Sequence, residues 1–460
     1  MPIPPPILTA IGDPAGGHVL LVIGAGCSFE PPTSIPMAAQ CAGDAHDALI
    51  KEKVLLAGEC ADPSDLSVVA DTVWTKTGSQ AALVDRLPLS TFRNSEPNDG
   101  YLAAAALLRE RALASLVTLN YDLTISRGLE LVSSSISVEV LAGPWDHGKL
   151  SVTNVIYLHR NVDADPDSWV MRTVVLQDGW RDGWEEMIAS AVLVAPITLF
   201  VGLGSPAAVL IESSHRIRTA LKGSVDAYQI DPAPYGTSKF TAAIGVDELH
   251  YIRMGWSEFM AELGLAVLDT HLTKVIAAAD ELADREHFSH EDVAHLCARL
   301  SPSGLVRVGR MRAAWFLDDH AYASWHQTGH EWTADILLGV RLIERVGGLT
   351  ARLLETGPIE FDRASVVVTS VFIAHGRGAY RWPSLEARAR FEMTKRFTVA
   401  TAPKTALLFG YVGGPITTAL PASLIGDVSI DDLVLGPSVV RFHAIDELRA
   451  DESIAKDLAS

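Results

Sequence analysis

The chain has 460 residues and is 48% apolar, enough for two or three domains and a large buried core. Its 37 basic residues against 56 acidic ones give a net charge of −19. That balance argues against a surface that holds nucleic acid nonspecifically, because phosphates are repelled. Cys27, Cys41, Cys60 and Cys297 include no C-x-x-C pair, which argues against a zinc ribbon and fits buried free thiols in a reducing cytosol.

Residues 1–17, rich in Pro and Gly, read as an extended, mobile tail and lack the basic and apolar regions of a signal peptide. Val19 to Ser28 then reads V-L-L-V-I-G-A-G-C-S. An aliphatic, β-branched run of this kind suits a strand buried on both faces. The glycines permit a tight turn and a close approach to a ligand, and a helix following them offers N–H groups to a phosphate. Gly-Ala-Gly alone is a weak nucleotide signal, with a plain strand-to-loop turn as its rival.

Residues 37–115 read as largely helical, with helices over 38–53, 64–76 and 102–114. Four further apolar runs end in polar or glycine residues: Val117-Thr118-Leu119-Asn120-Tyr121-Asp122, Val155 to Asn161, Leu199 to Ser205, and Ala227 to Pro232. In an open α/β sheet such residues gather at the carboxyl ends of the strands, where ligands bind. The stretch 191–204 is too short to cross a bilayer and reads as a helix end followed by a central strand.

Beyond Trp256 the pattern changes. Helices are expected over 257–263, stopped by Gly264, then over 272–285, from the cap at 289–292 to Leu300, and over 333–346, with strands over 364–374 and 404–412. The fold class is therefore α/β: a mostly parallel sheet with a helical insert across residues 18–268, followed by an α+β domain over 269–460. His375-Gly376-Arg377-Gly378 reads as a loop, Arg307 to Arg312 as a solvated face, and Trp169, Trp180 and Trp184 as packing.

Gly24-Ala25-Gly26-Cys27-Ser28, Ser34-Ile35-Pro36, Thr118 to Asp122 and His159, in that order, resemble the core motifs of the sirtuins. Asp231-Pro232 and Gly255 to Met260 are similar to the branch found in bacterial anti-phage defence proteins. The resemblance spans residues 18–268 and implies a Rossmann-like fold. It implies that Gly24, Ala25, Gly26 and Ser28 cradle the phosphates of NAD, and that Ile35 and Pro36 close over the nicotinamide. Asn120 would touch the nicotinamide ribose and place a water, Asp122 would hold the carboxamide, and His159 would be the catalytic histidine. Gly202 and Ser205 would lie near the adenosine half, with Asp231 near its ribose. Three features depart from the pattern. Arg160 stands where sirtuins usually have glycine, where it would crowd the site or clamp a phosphate; Met37 follows Ile35-Pro36 where deacylases have arginine; and the paired zinc cysteines of deacylases are missing.

The expected activity is hydrolysis of NAD⁺ to nicotinamide and ADP-ribose by a cytoplasmic defence effector, with NAD as substrate and no metal. An NAD-dependent protein deacylase and a non-catalytic NAD or ADP-ribose module are the alternatives. The resemblance implies a homo-oligomer, or a sensor subunit such as a helicase-like ATPase or a short Argonaute, docked on residues 269–460. Neither a membrane nor direct nucleic-acid binding is expected.

Overall fold

A computed structural model describes residues 3–13, 16–132, 138–151, 153–177, 183–204, 208–283, 290–317, 329–375, 382–398, 400–410, 440–445, 448 and 451–460. The chain forms two compact units that divide between Val267 and Leu268.

The first unit is built on seven strands: β1 (Val19–Ile23), β2 (Ser115–Thr118), β3 (Glu139–Leu141), β4 (Asn154–Tyr157), β5 (Ile197–Val201), β6 (Asp226–Ile230) and β7 (Tyr251–Ile252). Their order is β3-β4-β2-β1-β5-β6-β7, and every neighbouring pair is parallel. This is a Rossmann-like α/β sheet. The chain leaves β1 toward β2 on one side and later returns to β5 on the other, so the order reverses at β1, the place where ligand crevices open in such sheets. All five β1 side chains are buried, as their sequence requires for a strand covered on both faces.

Between β1 and β2 lies the helical insert. It includes helices Ala38–Lys51, Leu66–Thr77, capped by the Asp65 carboxylate, and Asp99–Arg109, capped by the Asn98 side chain. Leu49, Val69, Val73 and Leu83 form its core, and Ile35, Val162 and Trp169 pack into the same cluster. The insert therefore packs against the loops that follow β1 and β4. Helices Trp184–Val192, Ala208–Ala220 and Lys239–Ile244 supply a second cluster with Leu20, Val22 and Phe200.

Three expectations fail here. The proline-rich start is not an extended tail: Pro5–Gly12 is a helix with Ile7 and Ile11 fully buried, its prolines lying in the first turn where a missing N–H costs nothing. Gly264 does not stop a helix either. One helix runs from Trp256 to Ala283, because Leu263, Val267, Leu268, Leu272 and Val275 are all buried along it, and that packing outweighs the propensity of one glycine, about 1 kcal/mol. Nor is the 307–312 stretch wholly solvated, since Arg312 is buried and Arg307 pairs with Glu355.

The second unit carries a mixed five-stranded sheet, in the order β12-β11-β10-β9-β8, of β8 (Thr350–Arg352), β9 (Ile359–Arg363), β10 (Val366–His375), β11 (Lys404–Gly410) and β12 (Val440–Ala444). The pairs β10–β11 and β11–β12 are parallel, and β8–β9 and β9–β10 antiparallel. Helices His290–Leu300, Gly304–Trp315 and Gly329–Gly347 belong to it. All four cysteines are free and buried. No helix among the described residues is long and apolar enough to cross a membrane. Gly376 to Gly378, Trp180 and Ser205 lie outside the described residues.

Candidate active site

Parallel pairing brings the motif residues to one edge. Leu119 N–H donates to Ile23 O at 3.0 Å, and Leu158 N–H to Thr118 O at 3.0 Å, so the ladder runs to the last residue of each strand. Just past it, across five adjacent strands, stand His159 after β4, Asn120 and Asp122 after β2, Gly24 to Ser28 after β1, Gly202 after β5 and Asp231 after β6.

The glycine turn is fastened to its neighbour by main chain. Gly24 N–H donates to Val201 O and Gly26 N–H to Gly202 O, both at 3.0 Å. A Cβ on Gly26 would lie 2.8 Å from the Gly202 Cα. Gly202 has φ +65°, and a Cβ there would lie 2.7 Å from the Cys27 nitrogen. These glycines thus let two backbone segments touch. Two of the N–H groups expected to be open to a phosphate are already engaged, and the helix that follows, Ala25–Phe29, is only five residues long.

Beside the turn lies a buried network of side chains. Ser28 Oγ is 2.6 Å from the Tyr101 hydroxyl and donates to Asp122 Oδ2 at 2.9 Å. Asn120 Nδ2 donates to Gly24 O at 3.0 Å, to Ser28 Oγ at 3.1 Å and to the Tyr101 hydroxyl at 3.3 Å. A carbonyl oxygen only accepts, so the Gly24 contact fixes which end of the amide faces inward. Asn120 Oδ1 then points away from Gly24, Ser28 and Tyr101, on a side chain that is buried. Asp122 Oδ1 accepts from Thr124 N at 3.0 Å. Burial pushes the Asp122 carboxyl up, opposed by the Thr124 and Ser28 hydrogen bonds.

His159 is 7% exposed, and its ring is held by a hydrogen bond to the Leu119 backbone. Burial, reinforced by the neighbouring Arg160 charge and opposed by the Leu119 bond, lowers its pKa to about 4. The ring is therefore neutral at pH 7 and a weaker base than an ordinary histidine.

Arg160 neither crowds this edge nor clamps a phosphate. Its backbone has φ +76°, a left-handed conformation that glycine adopts without strain. Its guanidinium turns inward, is 1% exposed, and pairs with Glu185 at 2.8 Å, over the Trp184 ring at 5.2 Å.

Ile35 is buried in the core of the insert, with its N–H on Ser28 O at 2.9 Å, and Pro36 follows it, partly exposed. Asp231 Oδ1 accepts from Ala233 N at 2.8 Å in a local turn. Trp169 stacks on Tyr121 with centroids 4.3 Å apart, in keeping with its reading as a packing residue.

Motif reading gave no site role to Tyr101, Asn98 or Glu30, and took Trp256 only as part of the Gly255 to Met260 segment. Asn98 Nδ2 donates to Cys27 O at 2.9 Å, and Trp256 Nε1 donates to Asn98 Oδ1 at 3.0 Å. Glu30 caps the helix that begins at Trp256, accepting from Trp256 N at 2.7 Å and Ser257 N at 3.0 Å. The sequence Pro97-Asn98-Asp99-Gly100 has the composition of a turn, and in the structure a Cβ on Gly100 would lie 2.2 Å from the Trp256 indole. Among the described residues, no group of three His, Cys, Asp or Glu side chains is placed to hold a metal ion.

No protein-family model matches the chain, and no curated protein does. Among solved structures it is similar to a Sir2 homologue in complex with NAD, at 18% identity over 59% of this chain and 95% of that one, with a TM-score of 0.34. A Sir2 enzyme solved for its mechanism and regulation is 13% identical over 57% and 96%, with a TM-score of 0.32. A mutant Sir2 homologue in complex with ADP-ribose is 18% identical over 58% and 97%, with a TM-score of 0.34. Likeness at this level says nothing by itself of what this chain binds.

Proposed function

We propose that the first unit binds NAD⁺ along the carboxyl edge of its sheet and hydrolyses it to nicotinamide and ADP-ribose. The observation that carries the reading is the orientation of Asn120: its amide nitrogen is held by Gly24, Ser28 and Tyr101, which turns its carbonyl away from them at the edge where His159 also stands.

Nicotinamide is already cationic in NAD⁺ and leaves with the electron pair of its bond to the ribose carbon. The centre must hold the sugar while positive charge builds on it and admit one water. Asn120 Oδ1 orients that water. The Asp122 carboxylate holds the carboxamide and favours the developing cation. His159, neutral by virtue of its burial, takes a proton from a ribose hydroxyl or from the water, help typically worth ~10²–10⁴-fold. Water adds to the ribose carbon, and one proton is released per turnover. The phosphates lie over the turn from Gly24 to Ser28. Ile35 and Pro36 border the nicotinamide, Gly202 and Ser205 the adenosine half, and Asp231 its ribose.

In this reading the chain is a cytoplasmic NAD⁺-depleting effector of anti-phage defence. The second unit serves for self-assembly or for docking a sensor subunit. The test is release of nicotinamide by purified protein, with and without candidate partners. Release without an acyl peptide supports hydrolysis, and release only with one would make the chain a deacylase. NAD⁺ binding without turnover would make it a binding module. His159→Ala and Asn120→Ala should each cut release at least ~100-fold with NAD⁺ still bound, and undiminished release from either would remove that residue from the mechanism.

A further inference from the structure

Tyr101 stands in the first turn of the helix Asp99–Arg109 and is 1% exposed. Its main-chain N–H donates to Asn98 Oδ1 at 3.2 Å, and its ring meets the Trp256 indole edge-on, with centroids 5.6 Å apart. The ring is fixed by these contacts, and its hydroxyl with it. Among the described residues that hydroxyl has two hydrogen-bond partners, Ser28 Oγ at 2.6 Å and Asn120 Nδ2 at 3.3 Å.

An amide nitrogen donates and does not accept, so the Tyr101 proton has one acceptor, Ser28 Oγ. Ser28 also has a single proton to give, and is itself 1% exposed. Its Oγ receives hydrogens from Tyr101 and from Asn120 Nδ2, and its own goes to Asp122 Oδ2 at 2.9 Å. Asp122 Oδ1 accepts from Thr124 N at 3.0 Å. Both oxygens of Asp122 therefore accept, as an ionised carboxylate does. Burial opposes that charge, and hydrogen bonds from Thr124 and Ser28 support it. The direction of every bond in the chain follows from its two ends. Reversing any one leaves a buried proton without an acceptor, which costs more than the bond is worth.

We infer that Tyr101 is a positioning residue: it heads a one-way hydrogen-bond chain through Ser28 to Asp122, and through that chain it ties the amide of Asn120 to the carboxylate of Asp122. Its oxygen takes a hydrogen of Asn120 while its proton commits Ser28 to donate onward. Without the hydroxyl, Ser28 is free to turn away from Asp122, and the Asn120 amide loses one of the three acceptors that set which way its carbonyl faces. The effect on turnover rests on the hydrolysis proposed above, in which Asn120 orients the water; the effect on the Asn120 amide rests on the buried network alone.

The test is hydrogen exchange of the Asn120 side-chain amide in the full chain without NAD⁺. The five asparagines, Asn94, Asn98, Asn120, Asn154 and Asn161, make selective ¹⁵N labelling readable, and the Asn120 signal is identified by its loss in Asn120→Ala. The amide should exchange slowly in the parent and about fivefold faster in Tyr101→Phe, the worth of one hydrogen bond. Asp122→Asn should speed it as well. Because both substitutions break one chain, the double variant should exchange no more than about twofold faster than the faster single variant. In turnover, Tyr101→Phe should lower kcat about fivefold with KM unchanged. Should Tyr101→Phe fail to fold, Ser28→Ala cuts the same chain at its middle and should speed exchange at least as much. Unchanged exchange in the folded variant, or effects of Tyr101→Phe and Asp122→Asn that simply multiply, would overturn the inference. The two readings fail separately: no nicotinamide release from a parent with the expected exchange pattern sinks only the hydrolysis, and release alongside an Asn120 amide indifferent to Tyr101 sinks only the chain.

Discussion

At the β1–β5 turn the main chain does the fastening, through Gly24 N–H on Val201, Gly26 N–H on Gly202 and contacts too close for a Cβ. At the ends of β2 and β4 side chains do it, through Ser28, Tyr101, Asn120 and Asp122 on one strand's exit and the inward Arg160–Glu185 pair on the other's. The difference separates shape from chemistry. Changes at the turn or in the buried Arg160–Glu185 pair should be felt as lost stability, whereas changes among Ser28, Tyr101, Asn120 and Asp122 should be felt chiefly as lost turnover in a protein that still folds.

The largest effect expected tests whether the β4 exit is held by charge. Glu185→Ala leaves the Arg160 guanidinium buried without its carboxylate, and should cost about 3–5 kcal/mol in urea unfolding, whereas Glu185→Gln should cost less. Gly202→Ala forces a left-handed alanine against the Cys27 nitrogen, and should cost roughly 2–4 kcal/mol. A cost below 0.5 kcal/mol would show that the turn tolerates a side chain.

The third prediction concerns pH. The His159 pKa is near 4 in the folded chain, below its ordinary 6.5. Between those values the unfolded chain binds the extra proton, so the stability held above pH 6.5 is lost as pH falls toward 4, by roughly 3 kcal/mol. Asp122, pushed up, works in the opposite sense. Unfolding at pH 7.5 and pH 4.5 should therefore fall less in His159→Gln than in the parent, and equal falls would place the titration elsewhere. The smallest effect is that of Tyr101→Phe, which removes one hydroxyl from the Ser28 network. It should cost about 1 kcal/mol of stability and slow nicotinamide release about fivefold with KM unchanged.

What was legible in the sequence follows from how each feature is encoded. β1, β2, β4, β5 and β6 are runs of aliphatic residues interrupted at their ends, and period and punctuation suffice to place them. The edge residues came with them, because a parallel sheet aligns its strand ends. Tyr101 was hidden because it sits in an alanine-rich helix with nothing local to mark it, and its partners lie 73 and 19 residues away. Arg160 misled for a related reason: its place after His159 is local, but the Glu185 that draws it inward comes from the later helix Trp184–Val192, with two short helices between. Gly264 and the first helix failed where burial of Leu263 and Val267, and of Ile7 and Ile11, overrode propensity.

The bond from Trp256 N to Glu30 joins residues 226 apart, and that from the Trp256 indole to Asn98 joins residues 158 apart. A ribosome making this chain delivers the glycine turn early and its outer ties only after the seven-stranded unit is nearly complete. A nascent or prematurely ended product lacking Trp256 has the motif without the clasp around it. That order of manufacture leaves the packing of the glycine turn against Asn98 and Glu30 to be completed late in synthesis.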